Sequence, residues 1–367
     1  MALDDDDATT TTLPTPTVPL RLTRGKVSVA RLMNDWYIAC ASDELKGSPL
    51  PRTVLGVPMA LFRDEHGRAV AALDRCPHRN VPLSPGKVIN GQLQCPYHGW
   101  RFDGEGRCRA IPTRATDDTD VAGRRVPVFP AREQDGFVWV VPTPGATPSR
   151  EPYRFALLNA PGYDHVRQLV TAPGTLHATV ENALDVPHTA FLHRGLFRGD
   201  SRGLSLEVIV RRGSDRVEAE YKGESRPPGL VGRLLSPSGG EVEHFDRFVL
   251  PSVAEVEYRL GTENHLLVAS AMTPVSDFET RIYAVVSFKL RAPHAAVKAA
   301  LKPVALAIFK QDAAVLGQQT AQIKAFGGEQ FASTEIDVLG RHIWRLLRAA
   351  ESGDTVSPAE ERVTLVV

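Results

Sequence analysis

Cysteine is scarce in this chain. Four occur in 367 residues, Cys40, Cys76, Cys95 and Cys108, too few for a disulfide framework at this length. A reducing compartment, the cytoplasm, is the expectation that follows. Net charge is also missing: 43 Lys and Arg balance 43 Asp and Glu, which argues against nucleic acid as a partner. No apolar run approaches the roughly 18 residues of a membrane helix, so no membrane span is expected. The first residues, MALDDDDATTTTLPTPTVPL, are acidic where a signal peptide is basic and contain no apolar segment, so neither a secretory nor a transit signal is expected. Acidic and Thr/Pro-rich sequence buries too little to offset chain ordering, and residues 1–24 read as a disordered tail.

What remains is enough chain for two domains, each with its own core. From residue 25 to 142 short apolar runs such as RTVLGVPMALF, AVAALD and GFVWVV alternate with turn residues, the pattern of a compact antiparallel β domain. Proline and turn formers crowd 143–152, which reads as a linker. A second domain is expected over 153–353, with 354–367 as a C-terminal tail. It opens with a strand and a helix, HVRQLVTAPGTLHATV and ENALDVPHTAFLH. Longer strands follow: LSLEVIVRR, RVEAEYKG, FVLPSVAEVEYRLG, HLLVASAMTPV and IYAVVSFKLR. Helices are expected over His294–Phe326, with Pro303 as a kink, and over Glu335–Glu351. The fold class is α+β, with helices packed on an antiparallel sheet. Residues 223–240, GESRPPGLVGRLLSPSGG, read as a loop that either gates a pocket or simply connects strands.

Two clusters carry chemistry. The first is Cys76-x-His78, then sixteen residues, then Cys95-x-x-His98. Thiolate and imidazole are strong transition-metal ligands, and two tight turns would present four of them to one locus. Zinc fingers place both cysteines in one pair and both histidines in the other. Here each pair is mixed, which suits a [2Fe-2S] cluster with thiolates on one iron and imidazoles on the other. Cys40 and Cys108 lie outside the pattern and read as buried free thiols.

The second cluster lies in Glu181-Asn182-Ala183-Leu184-Asp185-Val186-Pro187-His188-Thr189-Ala190-Phe191-Leu192-His193. On a regular helix residues five apart point about 140° from each other, so His188 and His193 would diverge. Pro187 removes a backbone donor and disfavours helix at Val186, which allows a break that brings the imidazoles together. The spacing is unlike H-E-x-x-H of zinc proteases. A third ligand is normally a carboxylate. Asp312 falls on the apolar stripe Leu301, Val304, Ala305, Ile308, Phe309, Val315, Leu316, where a carboxylate is costly unless paired or metal-bound. Asp337, by contrast, shares a polar face with Arg341 and Arg348.

From WYIA at 36–39, through CPHRN and CPYHGW, to KQDAAVLGQQ at 310–319, the chain resembles the oxygenase (α) component of the Rieske non-haem iron oxygenases. The resemblance is to the short α-only type, vanillate O-demethylase-like or pheophorbide-oxygenase-like. It implies a Rieske cluster on Cys76, His78, Cys95 and His98, and mononuclear Fe(II) on His188, His193 and Asp312. It further implies a bridging Asp185, an Asn182 near the iron, and a helix-grip (START-like) catalytic domain. Its expected partners are O2, an apolar substrate, an NAD(P)H-dependent flavin/iron-sulfur reductase or a ferredoxin, and two further copies in a head-to-tail homotrimer. On this reading the electron leaves the cluster at His98 and crosses Asp185 to His188, and an apolar organic molecule is hydroxylated or dealkylated. The pocket walls are expected from FVLPSVAEVEY, LLVASAMTPV and the long helix. Two rivals predict other outcomes: a Rieske electron carrier without a second iron, or a zinc-stapled carrier of hydrophobic ligands.

Overall fold

The computed structural model describes residues 26–112, 124–193, 205–223, 242–260 and 264–366. The expected N-terminal tail 1–24 and the 223–240 loop, apart from Gly223, lie outside them.

The described residues of the first part of the chain form eleven short strands: β1 (Tyr37–Ala41), β2 (Leu50–Val54), β3 (Val57–Arg63), β4 (Ala69–Leu73), β5 (Lys87–Ile89), β6 (Gln92–Gln94), β7 (Arg101–Phe102), β8 (Cys108–Ala110), β9 (Val128–Phe129), β10 (Ala131–Gln134) and β11 (Phe137–Val140). They form three small sheets, ordered β1-β11-β10, β2-β3-β4-β9 and β5-β6-β7-β8, with every described pairing antiparallel. The turns that join such short strands need left-handed backbone. Asn90 and Gly91 supply it between β5 and β6 at φ 50° and 72°, the residue pair a two-residue hairpin favours.

The second part is one eight-stranded antiparallel sheet. Its strands are β12 (Asp164–Ala172), β13 (Ser205–Arg212), β14 (Arg216–Lys222), β15 (Val242–Val249), β16 (Val253–Leu260), β17 (Asn264–Ser276), β18 (Glu279–Lys289) and β19 (Ala359–Val366). The order is β12-β18-β17-β16-β15-β14-β13-β19. Among the described residues four helices accompany it: α1 (Leu176–Ala183), α2 (His188–Leu192), α3 (His294–Ala325) and α4 (Gly340–Ser352).

Sidedness explains the composition of these strands. β14 and β15 alternate buried and less buried positions, as expected when one face meets solvent. β18 is buried at eight of its eleven positions, because one face looks into the helices and the other packs on the N-terminal part. Trp36, Ile38, Phe137 and Trp139 form one apolar cluster with Val253, Ala269, Ala271, Tyr283 and Val285. Hydrogen bonds stitch the same seam: Thr273 Oγ1 donates to the Ile38 carbonyl (2.7 Å) and Tyr283 Oη to the Ala39 carbonyl (2.8 Å).

Three expectations need correction. Residues 354–367, read as a tail, include β19, which pairs with β13 from Ala359↔Arg212 to Val366↔Ser205 and so covers an edge that would otherwise expose unpaired backbone. FVLPSVAEVEYRLG is two strands rather than one, because Pro251 lacks the N–H that a central ladder needs and the chain reverses there into β16. The last helix starts at Gly340 rather than near Glu335. The Asp337 carboxylate accepts the Thr334 N–H at 2.7 Å, closing a local turn that competes with helix, and Ile336 is 42% exposed.

α3 runs 32 residues through Pro303, about 48 Å at the usual rise. Its buried stripe is Val297, Leu301, Ala305, Asp312, Leu316, Thr320 and Ile323, one face at helical spacing. Asp312 is the sole charge on it. No helix among the described residues is long and apolar enough to cross a membrane.

Candidate metal centres and pocket

The two Cys/His pairs sit on matching turns. Cys76 follows β4 and Cys95 follows β6. In the first turn the Asn80 N–H donates to the Cys76 carbonyl (2.8 Å) and the Cys76 N–H to the Val81 carbonyl (2.8 Å). In the second the Gly99 N–H donates to the Cys95 carbonyl (3.2 Å) and the Cys95 N–H to the Trp100 carbonyl (2.8 Å). Asn80 and Gly99 both take positive φ, 59° and 71°, the residue types that tolerate it. Asp74, unnoticed in the sequence, anchors this region: its carboxylate accepts the N–H groups of Leu83 (2.6 Å) and Ser84 (2.7 Å) and the Ser84 hydroxyl (2.6 Å).

Both cysteines are buried, at 1% and 2% exposure. Burial pushes the Cys76 thiol up to about 11, the His78 N–H opposing the rise and the neighbouring Cys95 adding to it. A thiol pair so placed ionises only beside a cation. His78 and His98 lie ring to ring at 4.6 Å, and His78 stacks on Trp100 at 4.7 Å. His78 Nδ1 is buried and accepts or donates no hydrogen bond, the state of a nitrogen kept for a metal. The four ligand atoms do not close on a point. Among the described residues the one set of three or more His, Cys, Asp or Glu ligand atoms within 4.8 Å of one another is His188, His193 and Asp312. A tetrahedral zinc needs its four ligands that close, whereas a two-iron cluster separates its thiolate end from its imidazole end.

The second set forms because α1 stops. Thr175 caps it, its side chain accepting the Ala178 N–H at 3.1 Å. After Ala183 the chain leaves helical geometry at Leu184, φ −114° and ψ 8°, and α2 begins after Pro187. The break expected at Pro187 thus lies just before it, and both imidazoles meet α3. His188 Nε2 is 3.3 Å from His193 Nε2. Asp312 Oδ1 is 3.0 Å from His193 Nε2 and 3.6 Å from His188 Nε2.

The other ring nitrogens settle the tautomers. His193 Nδ1 faces the Gln311 amide oxygen at 2.8 Å, and His188 Nδ1 meets the Asp185 main-chain carbonyl, with Asp185 Oδ2 at 3.5 Å. Both oxygens only accept, so each Nδ1 carries the hydrogen and each Nε2 offers a lone pair. Asp312 Oδ1 is buried and takes part in no properly angled hydrogen bond, although His193 Nε2 is near. Three lone-pair atoms facing one point are mutually repulsive without a cation. In the metal-free chain a proton serves: burial opposes charging of His188, but Asp185 and Asp312 outweigh it and hold it up at about 9. Burial likewise opposes ionisation of Asp312, and the two imidazoles overcome it and hold the carboxyl below its ordinary value. The donor set fits a divalent iron with open positions. Gln311 was missed in the sequence; the signal was a second polar residue beside Asp312 in an otherwise apolar helix.

These ligands close one end of a pocket of about 160 Å³. Its walls are Val256 and Tyr258 on β16, Leu266, Val268, Ser270 and Met272 on β17, Ile282 and Val286 on β18, and the α3 stripe from Leu301 to Phe309. They match the expected segments, with β18 added. Asn182 lines it from α1. Asp185 points the other way, into a second cavity shared with Glu181, Val315, Phe331 and Ile336, its side chain 36% exposed. Burial and the nearby Asp337, Asp185 and Glu329 hold Glu181 above its ordinary value, with His177 opposing.

A thiolate–imidazole pair of turns on small sheets, joined to a two-histidine, one-carboxylate set under a long helix, defines a two-centre iron oxidoreductase. Comparison with known proteins agrees. Residues 35–130 match the Rieske [2Fe-2S] domain and residues 175–352 the vanillate O-demethylase oxygenase C-terminal domain. The oxygenase component of a chloroacetanilide N-alkylformylase from Rhizorhabdus wittichii is 31% identical over 348 residues, 88% of this chain and 95% of that protein. The oxygenase component of dicamba O-demethylase from Stenotrophomonas maltophilia is 36% identical over 217 residues, 57% of this chain and 62%, less than two thirds, of that protein. The crystal structure of dicamba monooxygenase bound to 3,6-dichlorosalicylic acid superposes with a TM-score of 0.75 at 27% identity, covering 88% of this chain and 98% of that one. The chain belongs to the Rieske non-haem iron oxygenases, as an oxygenase α component related to the dicamba and vanillate demethylases.

Proposed function

We propose that this chain uses O2 and electrons from a reductase to hydroxylate or oxidatively dealkylate an apolar organic substrate. The observation that carries the reading is the convergence of His188, His193 and Asp312 at one end of an apolar pocket, with a separate thiolate–imidazole centre in the same chain. When bound, the two iron groups supply one-electron relay and oxygen activation. The chain's own residues do the rest. Cys76, Cys95, His78 and His98 hold the cluster. Gln311 and Asp185 orient the metal-binding imidazoles through their Nδ1 hydrogens. Asn182 borders the site on the substrate side, and the strand and α3 walls exclude water.

Asp185 is the bridging residue in this reading: it holds His188 on one side, and its half-exposed carboxylate remains available to an imidazole from outside. That imidazole is His98 of a neighbouring copy, which makes the working unit a head-to-tail homotrimer. The exposed Phe331, Val315 and Ile336 around the Asp185 cavity support a docked partner there. An NAD(P)H-dependent flavin/iron-sulfur reductase or a ferredoxin supplies electrons, and Cys40 and Cys108, buried thiols outside the cluster set, support a reducing, cytoplasmic setting. We take 25–142 as the Rieske domain, 143–152 as the linker and 153–353, extended by β19, as the catalytic domain. The long α3 lying over the antiparallel sheet supports a helix-grip description.

The test is metal content with oxygen uptake. The expected result is close to three irons per chain and substrate-stimulated O2 consumption with a reductase. Two irons per chain would favour an electron carrier, and a colourless zinc protein a ligand carrier; either overturns the proposal.

A further inference from the structure

Ser270 is a buried hydroxyl in the middle of an apolar wall. β17 lies between β16 and β18, and its residues alternate in facing. Leu266, Val268, Ser270 and Met272 line the pocket, while Ala269 and Ala271 pack on the other face with Trp36 and Phe137. Ser270 therefore faces the cavity, and it is 3% exposed. Its register partners are Ala254 on β16 and Ala284 on β18, so an alanine here would complete a rung of three with no loss of packing. The rung is a dent in the wall: Val256, Val268 and Val286 form the next one along, and Met272 stands beside Ile282 on the other side.

The threonine hydroxyls of the wall are committed to their own helical segments. Thr179 Oγ1 donates to the Thr175 carbonyl at 2.8 Å and Thr189 Oγ1 to the Val186 carbonyl at 2.7 Å. Tyr258, farther along the wall, belongs to a ring stack with His244 and Tyr221, at centroid separations of 4.2 and 4.5 Å. No hydrogen bond to a described residue engages the Ser270 hydroxyl. A buried O–H without a partner is destabilising where alanine is not, so the group it serves is one that enters the pocket. Ala254, Met272, Ile282 and Ala284 share an apolar cluster with Leu184 and Leu316, the latter four residues after Asp312. Leu266 instead packs with Leu301, eleven residues before Asp312 and about 16 Å away in helix rise. Ser270 thus stands toward the metal end. Among the described wall residues there is no Lys or Arg. The volume of about 160 Å³ is close to that of a cavity that admits benzene, about 150 Å³.

We propose that Ser270 is a specificity-determining residue: its hydroxyl donates a hydrogen bond to a neutral carbonyl oxygen of the substrate, beside the group that is oxidised. The substrate class is an uncharged single-ring molecule with a ketone, ester or amide on the ring atom next to the oxidised substituent, its apolar remainder lying against Leu266 and Leu301. A carboxylate in that place would meet one neutral donor in an apolar wall, which does not offset the loss of its hydration. This rests on the reading of the pocket as the substrate site.

The test uses the full-length protein with both centres loaded, held anaerobic, and four probes: 2-methoxytoluene, 2-methoxyacetophenone, 4-methoxyacetophenone and 2-methoxybenzoate. Dissociation constants come from calorimetry. The wild type is expected to bind 2-methoxyacetophenone about five- to tenfold tighter than 2-methoxytoluene, the range of one neutral hydrogen bond, and tighter than the other two. Ser270→Ala should bring the ratio of the 2-ketone to 2-methoxytoluene to about one, while 2-methoxytoluene binding stays within about twofold and iron content and cluster absorbance are intact. Ser270→Cys keeps the shape but leaves only a weak donor, and it should lower the same ratio. Tightest binding of the benzoate or of the 4-methoxy isomer, no binding of any probe, or an unchanged ratio in either variant would overturn the proposal. Oxygen uptake is measured separately: the expected ranking without uptake removes the oxygenase reading alone, and uptake with a different ranking removes this one alone.

Discussion

Stripping the mononuclear metal should make the catalytic domain lose stability as pH rises, with a magnitude set by His188. Its pKa stands at about 9 in the metal-free fold against 6.5 for an unfolded histidine. The difference is worth about 3 kcal/mol at 1.36 kcal/mol per tenfold change in proton affinity. The side chain is 19% exposed, so solvent screens little of it. Because the folded value lies above the unfolded one, the contribution is complete below about pH 6.5 and is gone above about pH 9. Between them the unfolding free energy falls by about 1.4 kcal/mol per pH unit, since the native state binds the extra proton. Asp312 has its pKa lowered, so its contribution is lost only in acid and does not disturb this window. The assay is urea unfolding of chelator-treated protein with its cluster retained, followed between pH 6 and 10. Asp312→Asn removes one of the two carboxylates that hold the proton and should roughly halve the fall. Saturating ferrous iron should abolish or reverse it, because metal binding needs the neutral imidazole. A flat profile from pH 6.5 to 9, or an undiminished total fall in Asp312→Asn, would refute the account of three lone-pair atoms sharing one cation.

Asp312→Ala should lose mononuclear iron while the cluster keeps its visible absorbance and EPR signal; retained stoichiometric iron would mean another carboxylate completes the set. Asp185→Asn should keep both metals but lose most coupled turnover, and stopped-flow measurement of undiminished electron transfer would remove its bridging role. Gln311→Leu takes away the acceptor for His193 Nδ1–H, so metal affinity should weaken about 10- to 100-fold, read by competition with a chelator; unaltered affinity would make that contact incidental.

Much of the site was legible because its chemistry is local. Cys76, His78, Cys95 and His98 come from two short turns whose residue types announce a metal whatever surrounds them. His188 and His193 become partners once Pro187 interrupts the helix, a constraint that acts over a few residues. Asp312 was legible from a hundred residues away, since a carboxylate in the middle of an apolar stripe needs a reason to be there. Element existence followed from periodicity, but element ends did not. The Asp337 turn that delays α4 and the role of residues 359–366 as an edge strand depend on what lies beside them, and AEERVTLV alone carries no instruction to pair with β13.

By itself, then, the sequence determined the ligand types, their grouping into two centres and the two-part α+β plan, because each depends on spacing along a few residues of backbone. Only the tertiary structure decided which nitrogens face the metal, since tautomer follows from Gln311 and the Asp185 carbonyl. Only it decided that Asp185 turns away from the pocket, or that Tyr221, His244 and Tyr258, on three strands, form one ring stack. The His193–Gln311 pair, 118 positions apart, and the ring stack across three strands arise from register and packing, whereas the Asp185–His188 contact is local and forms where α1 has ended.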